Sequence, residues 1–171
     1  MLDKEEKMRY HNITTDDMLN GDGLRVVLWV AGCEHHCPGC HNPVTWDENG
    51  GLDFDFATVC EIQRELNKPY ISCITFSGGD PLHPCNREQI TILAKQIKEA
   101  YPDKTIWLYT GYNWSDIKDL QIMQYIDVLV DGRFVESLKD VNVPWCGSTN
   151  QNIINVQQSL LERKLVPYIS K

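Results

Sequence analysis

Three cysteines fall within one short segment, Cys33-Glu34-His35-His36-Cys37-Pro38-Gly39-Cys40, with the spacing C-x-x-x-C-x-x-C. Thiolate sulfur is a soft ligand that suits zinc and iron–sulfur clusters, and three thiols on one loop can converge on one metal centre. A structural zinc site takes four protein ligands, and His35, His36 or His41 stands ready as the fourth. A 4Fe-4S cluster held by three cysteines instead keeps one iron without a protein ligand, open to a substrate that is to receive an electron. Cys37-Pro38-Gly39-Cys40 alone also matches a redox dithiol, although that reading leaves Cys33 unexplained. A second segment with chemical potential is Ser77-Gly78-Gly79-Asp80-Pro81. Paired glycines leave backbone N–H and C=O groups unshielded, so a ligand can approach them.

Both segments follow predicted strands. Leu24–Val30 is β-branched and aromatic, bounded by Asn20-Gly21-Asp22-Gly23 and Gly32, and reads as a buried strand. Asp55 caps an expected helix from Phe56 to Asn67, stopped by Pro69, and Ile71–Phe76 reads as the next strand. Ile90, Leu93, Ala94, Ile97 and Tyr101 recur at helical spacing behind an Asn86/Gln89 pair that resembles a capping box. Strand Thr105–Thr110, helix Ser115–Tyr125 and strand Ile126–Val130 complete an alternating β/α order. That order predicts an α/β fold with a parallel sheet and right-handed crossovers. In such sheets the loops after the strand C-termini carry the chemistry, which singles out the residues following Val30, Phe76, Tyr109 and Val130. Residues after Val143 are not placed by pattern.

The chain has 171 residues, 16 Lys plus Arg and 24 Asp plus Glu, for a formal charge of −8. One domain spanning residues 1–171 is expected. The acidic balance, with no basic cluster, argues against a nucleic-acid partner, whose phosphates are gripped by Lys and Arg. The longest apolar stretch, Val26 to Gly32, is far short of the ~20 residues of a membrane-spanning helix. Met1–Tyr10 has no apolar signal-like region, so no membrane and a cytoplasmic location are expected. Seven cysteines cannot all close into disulfides. Cys60 and Cys73 read as core packing, and Cys85 and Cys146 fall in expected loops.

The two segments in this order resemble the radical S-adenosylmethionine superfamily, marked by C-x-x-x-C-x-x-C after the first strand and Gly-Gly-Asp/Glu-Pro after the second. Further segments narrow the likeness: Asn20–Arg25, Cys37–Asn42, Ser77–Pro84, Thr110-Gly111-Tyr112, Val130–Phe134 and Gly147–Gln151. Together they resemble the activating proteins of anaerobic (class III) ribonucleotide reductase. Activases of other glycyl-radical enzymes share the first two motifs. Cys146 stands where such family members commonly carry Arg.

The resemblance implies a partial, laterally open (β/α) barrel, since a full eight-stranded one takes ~250 residues. It implies that Cys33, Cys37 and Cys40 ligate one 4Fe-4S cluster and that S-adenosyl-L-methionine binds the remaining iron. Reductive cleavage would give methionine and a 5′-deoxyadenosyl radical that takes hydrogen from a glycine of the anaerobic ribonucleoside-triphosphate reductase. Gly39, Cys40 and His41 would flank the cofactor, Gly78 and Gly79 would present backbone groups to its methionyl ammonium, Asp80 is a further cofactor-binding candidate, and Thr110 and Asp131 are candidates for ribose or amino-group contacts. A low-potential donor such as flavodoxin or ferredoxin would supply the electron.

Overall fold

The computed structural model describes residues 8 to 170. Seven strands form one sheet in the order β3-β1-β2-β4-β5-β6-β7, with β3 and β7 as its two edges. Four central strands, β2 (Arg25–Val30), β4 (Cys73–Gly78), β5 (Thr105–Tyr109) and β6 (Val128–Asp131), run parallel. The outer strands β1 (Arg9–Asp17), β3 (Leu52–Asp53) and β7 (Asn152–Asn155) pair antiparallel. The expected α/β alternation thus describes the middle of a mixed sheet.

Parallel strands read as continuous apolar runs because both of their faces are covered. Ile106 and Leu108 face the main core with Ile90, Leu93, Ala94 and Ile97 of helix α2 (Pro84–Ala100), while Trp107 turns to the opposite face beside Val128 and Val130. That second face also receives the C-terminal segment. Trp107 meets Trp145 at 5.2 Å and Tyr168 at 5.1 Å, and the buried Arg25 guanidinium lies 4.8 Å from the Trp107 ring. The same guanidinium donates to Thr75 Oγ1 (2.6 Å) and to the carbonyls of Asn20 and Asp22, fixing the turn that launches β2.

Helix α1 (Phe56–Leu66) begins as expected, Asp55 accepting the Thr58 N–H at 3.0 Å. Three boundaries differ from expectation for identifiable reasons. Strand β4 runs on through Gly78, because the ladder with β2 extends to the pair Val30↔Gly78. Helix α2 is capped by His83 with Pro84 at its start, and Asn86 is a brace: its buried amide donates to Ala31 O (2.7 Å) and Asp80 O (2.9 Å). The helix expected over Ser115–Tyr125 is a four-residue α3 (Trp114–Ile117) and a 3₁₀ turn at Gln121–Gln124, broken where Leu120 turns extended (ψ 141°). The chain beyond Val143 supplies β7 and α4 (Val156–Glu162). No helix among the described residues is long and apolar enough to cross a membrane.

Candidate metal and ligand site

The loops leaving the C-terminal ends of β2, β4, β5 and β6 meet around one cavity of about 450 Å³. Its wall includes Cys33, Cys37, Cys40 and His41 from the first loop and Gly78 and Gly79 from the second. Thr110 and Gly111 come from the third loop and Gly132 from the fourth. Trp29, Trp46, Phe134 and Trp145 also line it, and of these Trp46 and Trp145 lie outside the segments that the sequence motifs single out.

The cysteine loop is shaped by its own residues. Cys40 N–H donates to Cys37 O at 3.1 Å, and Gly39 has φ +73°. Pro followed by a glycine at positive φ is the signature of a type II turn, so Pro38-Gly39 brings Cys37 and Cys40 to one side of the loop. Gly32 and Cys33 donate their N–H groups to Thr45 O (2.8 Å) and Trp46 O (3.1 Å), fixing the loop's start. Burial pushes the Cys33 thiol up to about 11, with Asp80 and Cys37 adding smaller unfavourable effects. A thiol in that setting becomes a thiolate through metal binding, with release of a proton.

His35 is withdrawn from a ligand role through Nε2, which lies 2.6 Å from the Asp80 carboxylate. His36 packs on Trp46 and His41 on Phe134.

Asp80 is the hub that joins the loops. Its side chain is 1% exposed, and its two oxygens accept from Leu82 N–H (2.8 Å), Thr110 Oγ1 (2.9 Å to each) and Gly111 N–H (2.9 Å) besides facing His35. The His35 ring lies so close to Gly111 that a Cβ there would meet it at 2.3 Å, and it meets the Tyr112 ring edge-to-face at 4.6 Å. Tyr112 in turn donates its hydroxyl to Glu34, which lowers the Glu34 carboxyl below its usual range. Two consecutive residues of the cysteine loop are thereby tied to the loop after β5.

Gly79 is required sterically, since a Cβ there would lie 2.4 Å from Gly32 O. Its N–H donates to Val30 O and that of Asp80 to Gly32 O. With those amides committed, carbonyl oxygens are what this loop offers a ligand. Thr110 lines the cavity while its hydroxyl serves Asp80. Asp131 accepts from Trp114 N–H (2.8 Å), Asn152 N–H (3.1 Å) and Asn152 Nδ2 (2.8 Å), so its carboxylate joins β6 to α3 and β7. Gly39 stands against Glu136, behind the turn.

Residues 19–154 match the family model of a 4Fe-4S single cluster domain. The chain is 45% identical over 146 residues to the anaerobic ribonucleoside-triphosphate reductase-activating protein of Enterobacteria phage T4, covering 85% of this chain and 93% of that protein. It is 44% identical over 148 residues to the protein of that name from Escherichia coli (strain K12), covering 84% and 96%. The Vibrio cholerae protein of that name is 40% identical over 150 residues, covering 85% and 97%. The cysteine loop, the Gly-Gly-Asp-Pro hub and the loops they assemble all fall within residues 19–154, and the chain belongs to the family of anaerobic ribonucleoside-triphosphate reductase-activating proteins, with its 4Fe-4S single cluster domain.

Proposed function

We propose that this protein activates an anaerobic ribonucleoside-triphosphate reductase by radical S-adenosylmethionine chemistry, on a sheet that forms a partial, laterally open (β/α) barrel within a single domain. The observation that carries this reading is that three thiols and the Gly78-Gly79 backbone line one cavity at the C-terminal ends of parallel strands. Cys33, Cys37 and Cys40 would hold a 4Fe-4S cluster. Bound there, the cluster would supply the electron for reductive cleavage of S-adenosyl-L-methionine at its sulfonium, the chemistry that would lead to hydrogen removal from a glycine of the reductase.

The chain's own share is to bind, orient and exclude water. Carbonyl oxygens around Gly78 and Gly79 suit the methionyl ammonium, and Gly39 to His41 set the near side of the cofactor. Asp80, Thr110 and Asp131 hold the loops around it, Thr110 also standing on the cavity wall. Trp29, Trp46, Phe134 and Trp145 give the cavity apolar walls, which shield a reactive carbon radical from solvent. Leu19, 82% exposed, lies at the cavity rim and offers an apolar foothold for the partner's glycine-bearing loop. A flavodoxin or ferredoxin would deliver the electron in the reducing cytoplasm, where thiols persist.

The test is an anaerobic assay of reconstituted protein with dithionite and S-adenosylmethionine, measuring methionine and 5′-deoxyadenosine. Addition of the reductase subunit, followed by electron paramagnetic resonance, reads the glycyl radical. Cleavage and a glycyl signal that both vanish in Cys37→Ala support the proposal. A protein that carries iron but yields neither product overturns it.

A further inference from the structure

Beyond the three-cysteine loop, the described residues bring a second group of metal-ligating side chains together: Glu48, His83 and Cys85, whose ligand atoms all lie within 4.8 Å of one another. They come from two segments. Glu48 stands in the loop preceding β3, His83 caps α2, and Cys85 lies in its first turn. We propose that these three side chains form a second metal site, for a divalent cation of borderline softness such as Zn²⁺, distinct from the 4Fe-4S site.

The geometry favours a metal over the alternatives. Cys85 Sγ is 2.9 Å and Glu48 Oε2 3.9 Å from the same atom, His83 Nδ1. A nucleophilic triad needs the thiol on one imidazole nitrogen and the carboxylate on the other, so convergence on one nitrogen does not build one. The Cys85 N–H also approaches Nδ1, at a long 3.4 Å, a contact that a metal on Nδ1 would replace. A sulfur, a nitrogen and a carboxylate oxygen suit zinc and its first-row neighbours, whereas magnesium and calcium select all-oxygen shells. Thiolate and carboxylate together carry two negative charges, which neutralise a divalent ion inside the site. Loading would release the Cys85 proton to solvent.

The backbone beside the trio is a glycine. Gly32, at φ +97°, faces the trio, and a Cβ on it would stand 2.9 Å from Cys85 Sγ, 3.3 Å from Glu48 Cβ and 3.4 Å from His83 Nδ1. A side chain at Gly32 would press on all three residues, so the glycine is what lets them approach one another here. Glu48 is 50% exposed and His83 13%, so an ion enters from solvent and keeps a position for water. Bound there, it would clamp the loop around Glu48 to the start of α2, immediately behind the residue that precedes Cys33.

The test uses the cluster-loaded protein, prepared without oxygen and passed over chelating resin, then incubated with zinc alone, desalted and analysed for metals. One equivalent of zinc retained per chain above the iron is expected, with loss of that equivalent in Cys85→Ser and in His83→Gln while iron stays constant. Zinc-edge X-ray absorption should show one sulfur at ~2.3 Å with nitrogen and oxygen neighbours at ~2.0–2.2 Å. No retained zinc, retention that survives Cys85→Ser, or a shell of three sulfurs would each overturn the site. The variant Cys33→Ser/Cys37→Ser/Cys40→Ser carries no cluster, so zinc binding to it that depends on Cys85 reads this site separately from the activase reading.

Discussion

Replacing Asp80 with asparagine tests the claim that one carboxylate holds the cysteine loop, the Gly78-Gly79 loop and the loop after β5 together. The donors Leu82 N–H, Thr110 O–H and Gly111 N–H, with His35 Nε2 beside them, surround two oxygens that only accept when ionised. An asparagine keeps one acceptor and turns the other position into a donor. With its NH₂ in the Oδ2 position it faces the Gly111 N–H; in the Oδ1 position it faces the Leu82 N–H. Either orientation strands a backbone donor and removes a charge-assisted hydrogen bond, for a loss of about 2–3 kcal/mol. Urea denaturation of the apoprotein should show a midpoint lower by roughly 1 M at unchanged slope. A double-mutant cycle with Thr110→Val should return a coupling of about 0.5–1 kcal/mol, since both substitutions act on one network. A change in stability below ~0.5 kcal/mol for Asp80→Asn, the size of an ordinary surface substitution, would refute the hub argument.

Other expectations follow from single contacts. Gly79→Ala forces a Cβ against the Gly32 carbonyl and should cost about 1–3 kcal/mol, read as a lowered denaturation midpoint; wild-type stability would show that the two loops are not packed this closely. Cys37→Ser should abolish iron retention while leaving the far-ultraviolet circular dichroism of the apoprotein unchanged, because the loop's turn is built by Pro38 and Gly39. Trp107→Ala removes the ring that packs on Trp145, Tyr168 and Arg25 and should cost about 3–5 kcal/mol by the same denaturation assay. Burial pushes the Cys146 thiol from its ordinary 9.0 up to about 11, with Asp131 adding to the shift. The unfolded chain therefore gives up this proton first, and apoprotein stability should fall as pH rises from about 9 to about 11, a fall that Cys146→Ser makes shallower.

What the sequence made legible was chemistry written in contiguous residues. Cys33 to Cys40 lie on one loop, the Pro-Gly turn is encoded beside the thiols it orients, and the strands that deliver both loops are buried on two faces and read as apolar runs. The outer strands carried no such signal. In β1 most residues are only partly buried, so Arg9–Asp17 reads as polar chain although it pairs along much of β2. Strand β3 has two residues, too few for any period to register. The break at Leu120 is set by tertiary packing of Ile117, Ile122 and Met123 into the core, against a pattern that locally resembles one helix.

The framework around the site is non-local in a way that motif reading cannot reach. Asp80 faces His35 across 45 residues and Thr110 across 30, and Tyr168 reaches Asp22 across 146. Asn86 looked like a local cap yet spends its amide on Ala31, 55 residues away. These separations divide the molecule's labour. The three cysteines proposed to hold the cluster share one local loop, whereas His35, Asp80 and Asn86, which tie that loop to its neighbours, are buried polar residues. Substitutions at Cys33, Cys37 and Cys40 should therefore act on iron content, and substitutions at His35, Asp80 and Asn86 on stability first and on iron through it. The order in which those two losses appear during denaturant titration of the loaded protein separates the classes: cluster loss ahead of unfolding in wild type, and coincident loss in the Asp80→Asn variant, is the pattern that a frame built on that carboxylate requires.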